Sequence, residues 1–185
     1  DGQLLEAGLW SPALQSHGPG RSATVVRGSE AFTFRQACDP SEPAKQLESA
    51  GLGTYLWEPD PAVIRAGLIA QFVDNTALEG PISPSIAYLT SNEIVAGKEA
   101  NALSGFEVLD VTQLRPKAIS KALRALEPTS VEVKKRGADI NPAALQTALK
   151  RILVPRTNSY ENPVTVIATR VDGRHQAVIA RRLDL

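Results

Sequence analysis

The 185-residue sequence contains no methionine, one cysteine, two histidines and only 5% aromatic residues. A single cysteine, Cys38, cannot form an internal disulfide, and so few cysteines and histidines argue against a structural zinc site. The longest apolar run, roughly from Pro61 to Val73, is interrupted by Arg65 and is too short to span a bilayer. No signal-peptide pattern is visible, so we expect a cytoplasmic protein without membrane contact. Because the chain begins at Asp1 and lacks methionine, we expect a fragment or a processed chain.

Groups of residues that carry catalysis or hold a cofactor are also missing. His17 and His175 are predicted in or beside turns, and no third group is placed to hold either as a general base. The run 18–20 (Gly-Pro-Gly) is not followed by a helix pattern, so it predicts a turn and not a phosphate loop. Glu58 lies close to Asp60, but Asp60 is already explained as a helix cap. The sequence therefore predicts no catalytic, cofactor-binding or metal-binding residues.

The charges are balanced overall but unevenly distributed. The chain has 20 basic and 20 acidic residues; residues 1–110 hold 6 basic and 14 acidic ones, and residues 111–185 hold 14 and 6. Such a division indicates that the C-terminal part contacts an anionic partner, most simply nucleic acid. The alternative, which charge alone leaves open, is that the two parts attract each other within the fold.

Hydrophobic patterns and turn signals predict a mixed β-sheet with packed helices, of the α/β or α+β class, preceded by a small β segment. Asp60-Pro61 and Asn141-Pro142 each place a capping side chain before a proline, which is typical of a helix start. The predicted helices cover residues 60–73, 112–126 and 141–152. The predicted strands are 4–10, a hairpin within 22–34 that turns at Gly28-Ser29, 82–89, 106–109, 130–135, and a final hairpin of 164–171 and 176–183 that turns at Asp172-Gly173.

Two groups of cations in the C-terminal part are candidates for binding phosphate. The first group ends a predicted strand just before a glycine, where clustered Lys and Arg beside a backbone turn are suited to phosphates. The second forms the polar side of the helix predicted over 112–126. Their placement on successive elements predicts that they converge on one face, whereas the alternative is a solvated, salt-bridged surface. The candidate residues are Lys134, Lys135, Arg136 and Gly137 in the first group and Lys117, Lys121 and Arg124 in the second.

Base-stacking side chains are scarce in the same part of the chain. Tyr160 is the only aromatic residue in 111–185. Proteins that read single strands usually stack bases on aromatic rings. The scarcity therefore favours contacts to the backbone and shape of a structured RNA.

Four stretches, taken together and in order, resemble a known family. They match the C-terminal part of a bacterial family of S-adenosylmethionine-dependent class I methyltransferases that ends in a THUMP-like domain. The resemblance covers roughly residues 50–185, and residues 4–35 resemble the last strands of that family's methyltransferase domain. The four stretches are 55–68 (beginning Tyr-Leu-Trp-Glu-Pro-Asp-Pro), 86–91 (Ile-Ala-Tyr-Leu-Thr-Ser), 131–137 (Val-Glu-Val-Lys-Lys-Arg-Gly) and 166–171 (Val-Ile-Ala-Thr-Arg-Val).

The resemblance implies a division of the chain and a role for it. Residues 1–38 would be terminal strands of a truncated methyltransferase domain, residues 39–49 a linker, and residues 50–185 the THUMP-like domain. The parent protein would use S-adenosylmethionine and act on RNA, since THUMP domains in general serve RNA-modifying enzymes. The half that holds S-adenosylmethionine, with its Gly-rich turn and acidic ribose ligand, is missing from this sequence. We therefore expect no activity from this chain alone.

The partners follow from the same resemblance. We expect RNA, with transfer RNA as a candidate, and the missing catalytic domain of the same protein. The competing hypothesis is a structural module that docks on the catalytic domain or on a protein partner and binds no nucleic acid.

Overall fold

A mixed seven-stranded sheet forms the centre of the computed structural model, which describes residues 3–14, 17–39, 41–157 and 159–184. A separate two-stranded hairpin and four helices pack around this sheet. The strands are β1 (Gly20–Arg27), β2 (Glu30–Ala37), β3 (Tyr55–Pro59), β4 (Gly80–Ser83), β5 (Ile86–Ser91), β6 (Leu103–Gln113), β7 (Ser130–Lys135), β8 (Pro163–Val171) and β9 (Arg174–Arg182), and the helices are α1 (Pro61–Arg65), α2 (Ile69–Asn75), α3 (Pro116–Arg124) and α4 (Pro142–Leu149).

The strand order in the large sheet is β4-β5-β3-β6-β9-β8-β7. Only β7 and β8 pair in parallel, and the other neighbours are antiparallel. The mixed sheet with packed helices predicted from the sequence is therefore confirmed. The last strand, β9, lies in the interior of the sheet between β6 and β8.

One face of the sheet is covered by helices at one end and by the small hairpin at the other. Ile119 and Leu123 of α3 and Leu149 of α4 are fully buried against β7, β8 and β9. At the other end, Trp57 of β3 is fully buried in a cluster that includes Phe34 of the β1–β2 hairpin. This face, which we call the covered face, thus has two hydrophobic clusters side by side.

The opposite face, which we call the inner face, curls so that the sheet packs against itself. Leu56 of β3 and Ile167 of β8 share a buried cluster with Ile82 of β4, although β4 and β8 stand far apart in the strand order. The backbone N–H of Asp172 donates to the carbonyl of Ile82 at 3.1 Å. The sheet is therefore strongly curved, and its β4–β5 end approaches its β7–β8 end.

Both predicted hairpins and the cap of the last helix are confirmed. Gly28 and Gly173 have positive φ angles (59° and 75°) in the turns that join β1 to β2 and β8 to β9. Glycine adopts such angles at little cost. The Asn141 side chain accepts a hydrogen bond from the backbone N–H of Ala144 at 3.1 Å, and α4 follows it directly.

The helix predicted over 60–73 is wrong as a single element, because Gly67 divides it into α1 and α2. Gly67 has a φ of 69°, and the N–H of the next residue, Leu68, donates to the carbonyl of Val63 at 3.1 Å. This is the common way in which a glycine ends a helix. Sequence periodicity did not reveal the break, since apolar residues continue on both sides of it.

Two strand predictions and one helix start are also corrected, and one strand was missed. The single strand predicted over 82–89 is the β4–β5 hairpin, which turns at Pro84-Ser85 because proline cannot donate to a ladder. Residues 4–10 form no strand, and β3 was not predicted as one. Residues 112 and 113 belong to β6 and not to the following helix, which begins at Pro116.

Within the described ranges, none of the helices combines the length and the apolar character that a membrane span requires.

Removal of one buried side-chain hydrogen bond is a test of the packing under the hairpin. The indole N–H of Trp57 donates to the Ser91 hydroxyl at 2.7 Å, and both residues are fully buried. Ser91→Ala leaves the indole N–H without its acceptor, so we expect the free energy of unfolding in urea to fall by about 1–3 kcal/mol. Ser130→Ala, at an exposed position that begins β7, is the control and should change it by less than about 0.5 kcal/mol. Equal losses in the two variants would contradict this account.

Candidate nucleic-acid interface

Helix α3 carries one of the two predicted groups of cations on its solvent side. Its buried side consists mainly of Ile119 and Leu123, spaced four residues apart. Lys117, Lys121 and Arg124, which are four and three residues apart, lie on the other side and are exposed. Among the described residues, none of these three makes an ion pair or a side-chain hydrogen bond.

Two further cations lie next to this helix. Lys150 and Arg151 belong to the single 3₁₀ turn Lys150–Ile152 that ends α4, and this turn packs against α3. Both side chains are exposed and, like the three on α3, have no ion-pair partner in the described part of the chain. The sequence presented these two only as cations in a last helical turn. We call the five side chains of Lys117, Lys121, Arg124, Lys150 and Arg151 the α3 surface.

The second predicted group is divided between the two faces of the sheet by the alternation of β7. Val133 of β7 packs under the helices, so its neighbour Lys134 points to the inner face. Arg136 follows the same alternation. Lys135 lies on the helix side, where its ammonium donates to the carbonyl of Ile140 at 3.0 Å.

Lys134 and Arg136 both bind the carboxylate of Glu58. The Nζ of Lys134 lies 2.5 Å from Oε2 of Glu58, and Nη2 of Arg136 lies 3.2 Å from Oε1. The side chains of Glu58, Lys134 and Arg136 are 20%, 24% and 30% exposed. The contact joins β3 to the edge strand β7 across the curled inner face.

Two buried aromatic rings lie beneath these charges. The Nζ of Lys134 lies 5.2 Å from the centre of the Phe106 ring, and the Arg182 guanidinium lies 5.9 Å from that ring. The Arg136 guanidinium lies 5.2 Å from the centre of the Tyr88 ring. Cations at such distances from an aromatic face are attracted to it. We call Glu58, Tyr88, Phe106, Lys134, Arg136 and Arg182 the inner-face cluster.

Gly137 brings the end of β7 close to β5. It has a φ of 72°, and a Cβ at this position would overlap the side chain of Ile86. The turn that the sequence predicted here is present, and it also allows the close approach of the two strands.

The expectation that the two cation groups converge on one face is wrong. The α3 surface lies over the covered face, whereas Lys134 and Arg136 lie on the inner face. The alternation of the strand, which sets the direction of each side chain, separates them. Sequence reasoning also missed the role of Glu58, which was noticed only as a neighbour of Asp60. No local signal connects it to residues about 76 positions further along the chain.

Tyr88 is the buried titratable group of this cluster. Its hydroxyl donates to Oε1 of Glu58 at 3.5 Å, and the side chain is almost fully buried. Burial raises the pKa of Tyr88 well above its usual value, the charge of Glu58 adds to this, and the charge of Arg136 opposes it. The phenol therefore stays protonated and remains a donor.

This raised pKa predicts a pH-dependent contribution to stability. Because the folded pKa exceeds the unfolded value of about 10, the contribution is complete below that pH and is lost as the unfolded chain ionises above it. We expect the unfolding free energy of the wild type, relative to that of Tyr88→Phe, to fall by roughly 1 kcal/mol between about pH 9 and 11. Tyr160→Phe, which removes an exposed phenol, is the control. An unchanged difference between wild type and Tyr88→Phe would contradict the prediction.

Comparison with known protein families gives a match that includes most of the large sheet. The family model THUMP domain-like matches residues 103–182. This range runs from the start of β6 to the end of β9, and it includes α3, α4 and both groups of predicted binding residues.

The wider chain is similar to larger proteins. Two curated proteins of Mycobacterium tuberculosis, from strains CDC 1551 / Oshkosh and ATCC 25618 / H37Rv, are each named an uncharacterized S-adenosylmethionine-dependent methyltransferase. Each is 30% identical to this chain over 171 residues, which cover 92% of the chain and 42% of the relative.

A solved structure from Porphyromonas gingivalis W83, whose description proposes a methyltransferase, shares the fold. The two structures align with a TM-score of 0.65 at 14% sequence identity. The aligned region covers 89% of this chain and 38% of the Porphyromonas gingivalis chain. Residues 103–182 therefore form a THUMP-like domain, and the chain is homologous to the two Mycobacterium tuberculosis proteins, of whose length it spans 42%.

Proposed function

We propose that this chain is the RNA-recruiting module of an S-adenosylmethionine-dependent methyltransferase and that the α3 surface binds the RNA backbone. The observation that carries the proposal is the set of five exposed cations in the THUMP-like domain that have no ion-pair partner among the described residues. Lysines and arginines without an internal counter-ion are available to neutralise RNA phosphates, and this releases the cations that are condensed on the RNA backbone.

The aromatic residues of the domain support contact with the backbone over contact with bases. Within 103–182, Phe106 is fully buried, and the hydroxyl of Tyr160 donates to the carbonyl of Glu127 at 2.8 Å. Neither ring is arranged as an open stacking platform of the kind that single-strand binders use. A structured RNA, with transfer RNA as the candidate, is the ligand that fits this surface.

The described residues do not fit S-adenosylmethionine itself. Such a site needs a strand, a turn with several glycines and a helix, as in other nucleotide-binding α/β units. The connections from β3 to α1 and from β6 to α3 contain no glycine, and the connection from β7 to α4 contains only Gly137. We propose that the parent protein holds the cofactor outside these residues and works in the cytoplasm, and we derive no methyl-transfer step from this chain.

A specific observation also favours the docking hypothesis for the N-terminal segment. Leu5, Leu9 and Leu14 expose almost all or most of their side chains, and residues 3–10 form no strand. Several exposed apolar side chains in one short segment are typical of an interaction surface. The chain spans less than half of the length of its relatives. We propose that residues 1–38 belong to the methyltransferase domain of the parent and contact it through the exposed segment before the hairpin, and that the linker 39–49 and the THUMP-like domain 50–185 follow.

Removing the charge of α3 tests RNA recruitment. We expect the triple variant K117A/K121A/R124A to bind transfer RNA at least about tenfold more weakly, and the slope of log K against log salt to fall by about two to three units. The matched control R35A/K45A/R65A removes three exposed cations from the other half of the chain and should change both quantities little. Both quantities are measured by fluorescence anisotropy. Equal effects in the two triple variants would contradict the proposal, because the α3 cations would then contribute only the non-specific attraction of any surface cation.

Charging the apolar N-terminal segment tests docking. We expect L5D/L9D to leave the melting temperature of the 185-residue chain nearly unchanged, because both side chains are already exposed. In the full-length parent, the same change should lower the melting temperature by several degrees, because it would place charges in a buried interface. Ile94→Asp, at an exposed apolar position outside the segment, is the control. No difference between chain and parent would refute the docking proposal.

A further inference from the structure

We propose that Lys134, Arg136 and Arg182 form a phosphate-binding site on the inner face, and that Glu58 occupies this site as an internal counter-ion. The inference rests in part on the proposed function, because Lys134 and Arg136 are among the predicted RNA contacts. It assigns them a site of their own, on the other face of the sheet from the α3 surface.

The geometry around Glu58 is that of an anion site. One cation meets each carboxylate oxygen, at 2.5 Å for Lys134 and 3.2 Å for Arg136. Two oxygens of a phosphate group can be bound in the same way, and an arginine guanidinium suits phosphate as well as carboxylate. The Tyr88 hydroxyl, which stays protonated, is a further donor at the same carboxylate.

The cluster has more positive charge than its own carboxylates neutralise. Arg182 lies 5.9 Å from the Phe106 ring, to which Lys134 is also close, and in the described part of the chain it has no ion-pair partner. Glu132, which lies outside the inner-face cluster, is a second carboxylate whose charge acts on Tyr88. Among these described residues, three cations therefore stand against two carboxylates.

The charged groups can be reached from solvent, whereas the rings beneath them cannot. Lys134 and Arg136 are a quarter to a third exposed, and Arg182 is exposed. Phe106 and Tyr88 are almost fully buried. The ligand that fits is thus a phosphate group held by its charge and not a base stacked on a ring. Because Glu58 competes for the same cations, its carboxylate lowers the affinity of the site.

The test is a titration of the 185-residue chain with pyrophosphate at low salt. We expect Glu58→Gln, which keeps the shape of the side chain and removes its charge, to tighten pyrophosphate binding by about fivefold or more, the size of one ion pair. Lys134→Gln added to Glu58→Gln should abolish the gain. The matched control is Glu107→Gln, which removes the same charge from the residue next to Phe106. This change frees Arg181 on the covered face, whose Nη1 lies 3.3 Å from Oε2 of Glu107. It should have an effect below about twofold.

A second variant decides the matter if Glu58→Gln does not fold. Arg182→Gln changes an exposed side chain, so we expect it to fold and to bind pyrophosphate about fivefold more weakly than the wild type. Folded Glu58→Gln without tighter binding, a gain equal to that of Glu107→Gln, or unchanged binding by Arg182→Gln would each overturn the proposal.

A parallel titration with transfer RNA identifies the source of the phosphate. If Glu58→Gln tightens binding of both ligands, the site takes a phosphate of the RNA chain; if only pyrophosphate responds, it takes a small phosphorylated compound. The pyrophosphate result does not depend on the α3 surface. A failure of K117A/K121A/R124A to weaken RNA binding would therefore count against the proposed function and leave this site to be judged by itself.

Discussion

The pairing of β9 with β6 on one side and β8 on the other holds the large sheet together. Residues 177–180 of this strand are completely buried, with side chains packed on both faces. On one side lie β4, β5, β3 and β6, and on the other lie β8 and β7. Without β9 these would be two separate sheets. The final strand of the chain therefore joins the part that precedes α3 to the part that follows it. Its continuous apolar run is typical of a strand that is buried on both faces.

The curvature of this sheet decides what its charges can do. Because the β4–β5 end approaches the β7–β8 end, Glu58 of β3 comes within bonding distance of Lys134 and Arg136. These two cations are held in a partly desolvated site with a counter-ion of their own. The cations of α3 stay in water on the other face. The basic residues are thus divided into a solvent-exposed surface without counter-ions and a cluster in which Glu58 neutralises part of the charge, and the two differ in how readily an anion can bind.

Local signals predicted well those elements whose ends are set by backbone chemistry. The Gly28-Ser29 and Asp172-Gly173 turns, the Asn141 cap and the limits of β7 follow from residues at or next to the element itself. The break at Gly67 was missed inside a mostly apolar run, where periodicity carries little information about where the chain bends. The turn at Pro84-Ser85 was missed although Ser83-Pro84-Ser85 is itself a local turn signal.

The candidate site shows the same division between local and long-range information. Helical spacing was enough to place Lys117, Lys121 and Arg124 together, because residues three and four apart share a helix face whatever surrounds them. The pairing of Glu58 with Lys134 and Arg136 joins residues 76 and 78 positions apart, and it depends on strand order and sheet curvature. The sequence by itself determined the fold class, the α3 cations and the family resemblance. Only the tertiary structure decided which cations are neutralised, because the distance between charges on separate strands is set by packing and not by local pattern.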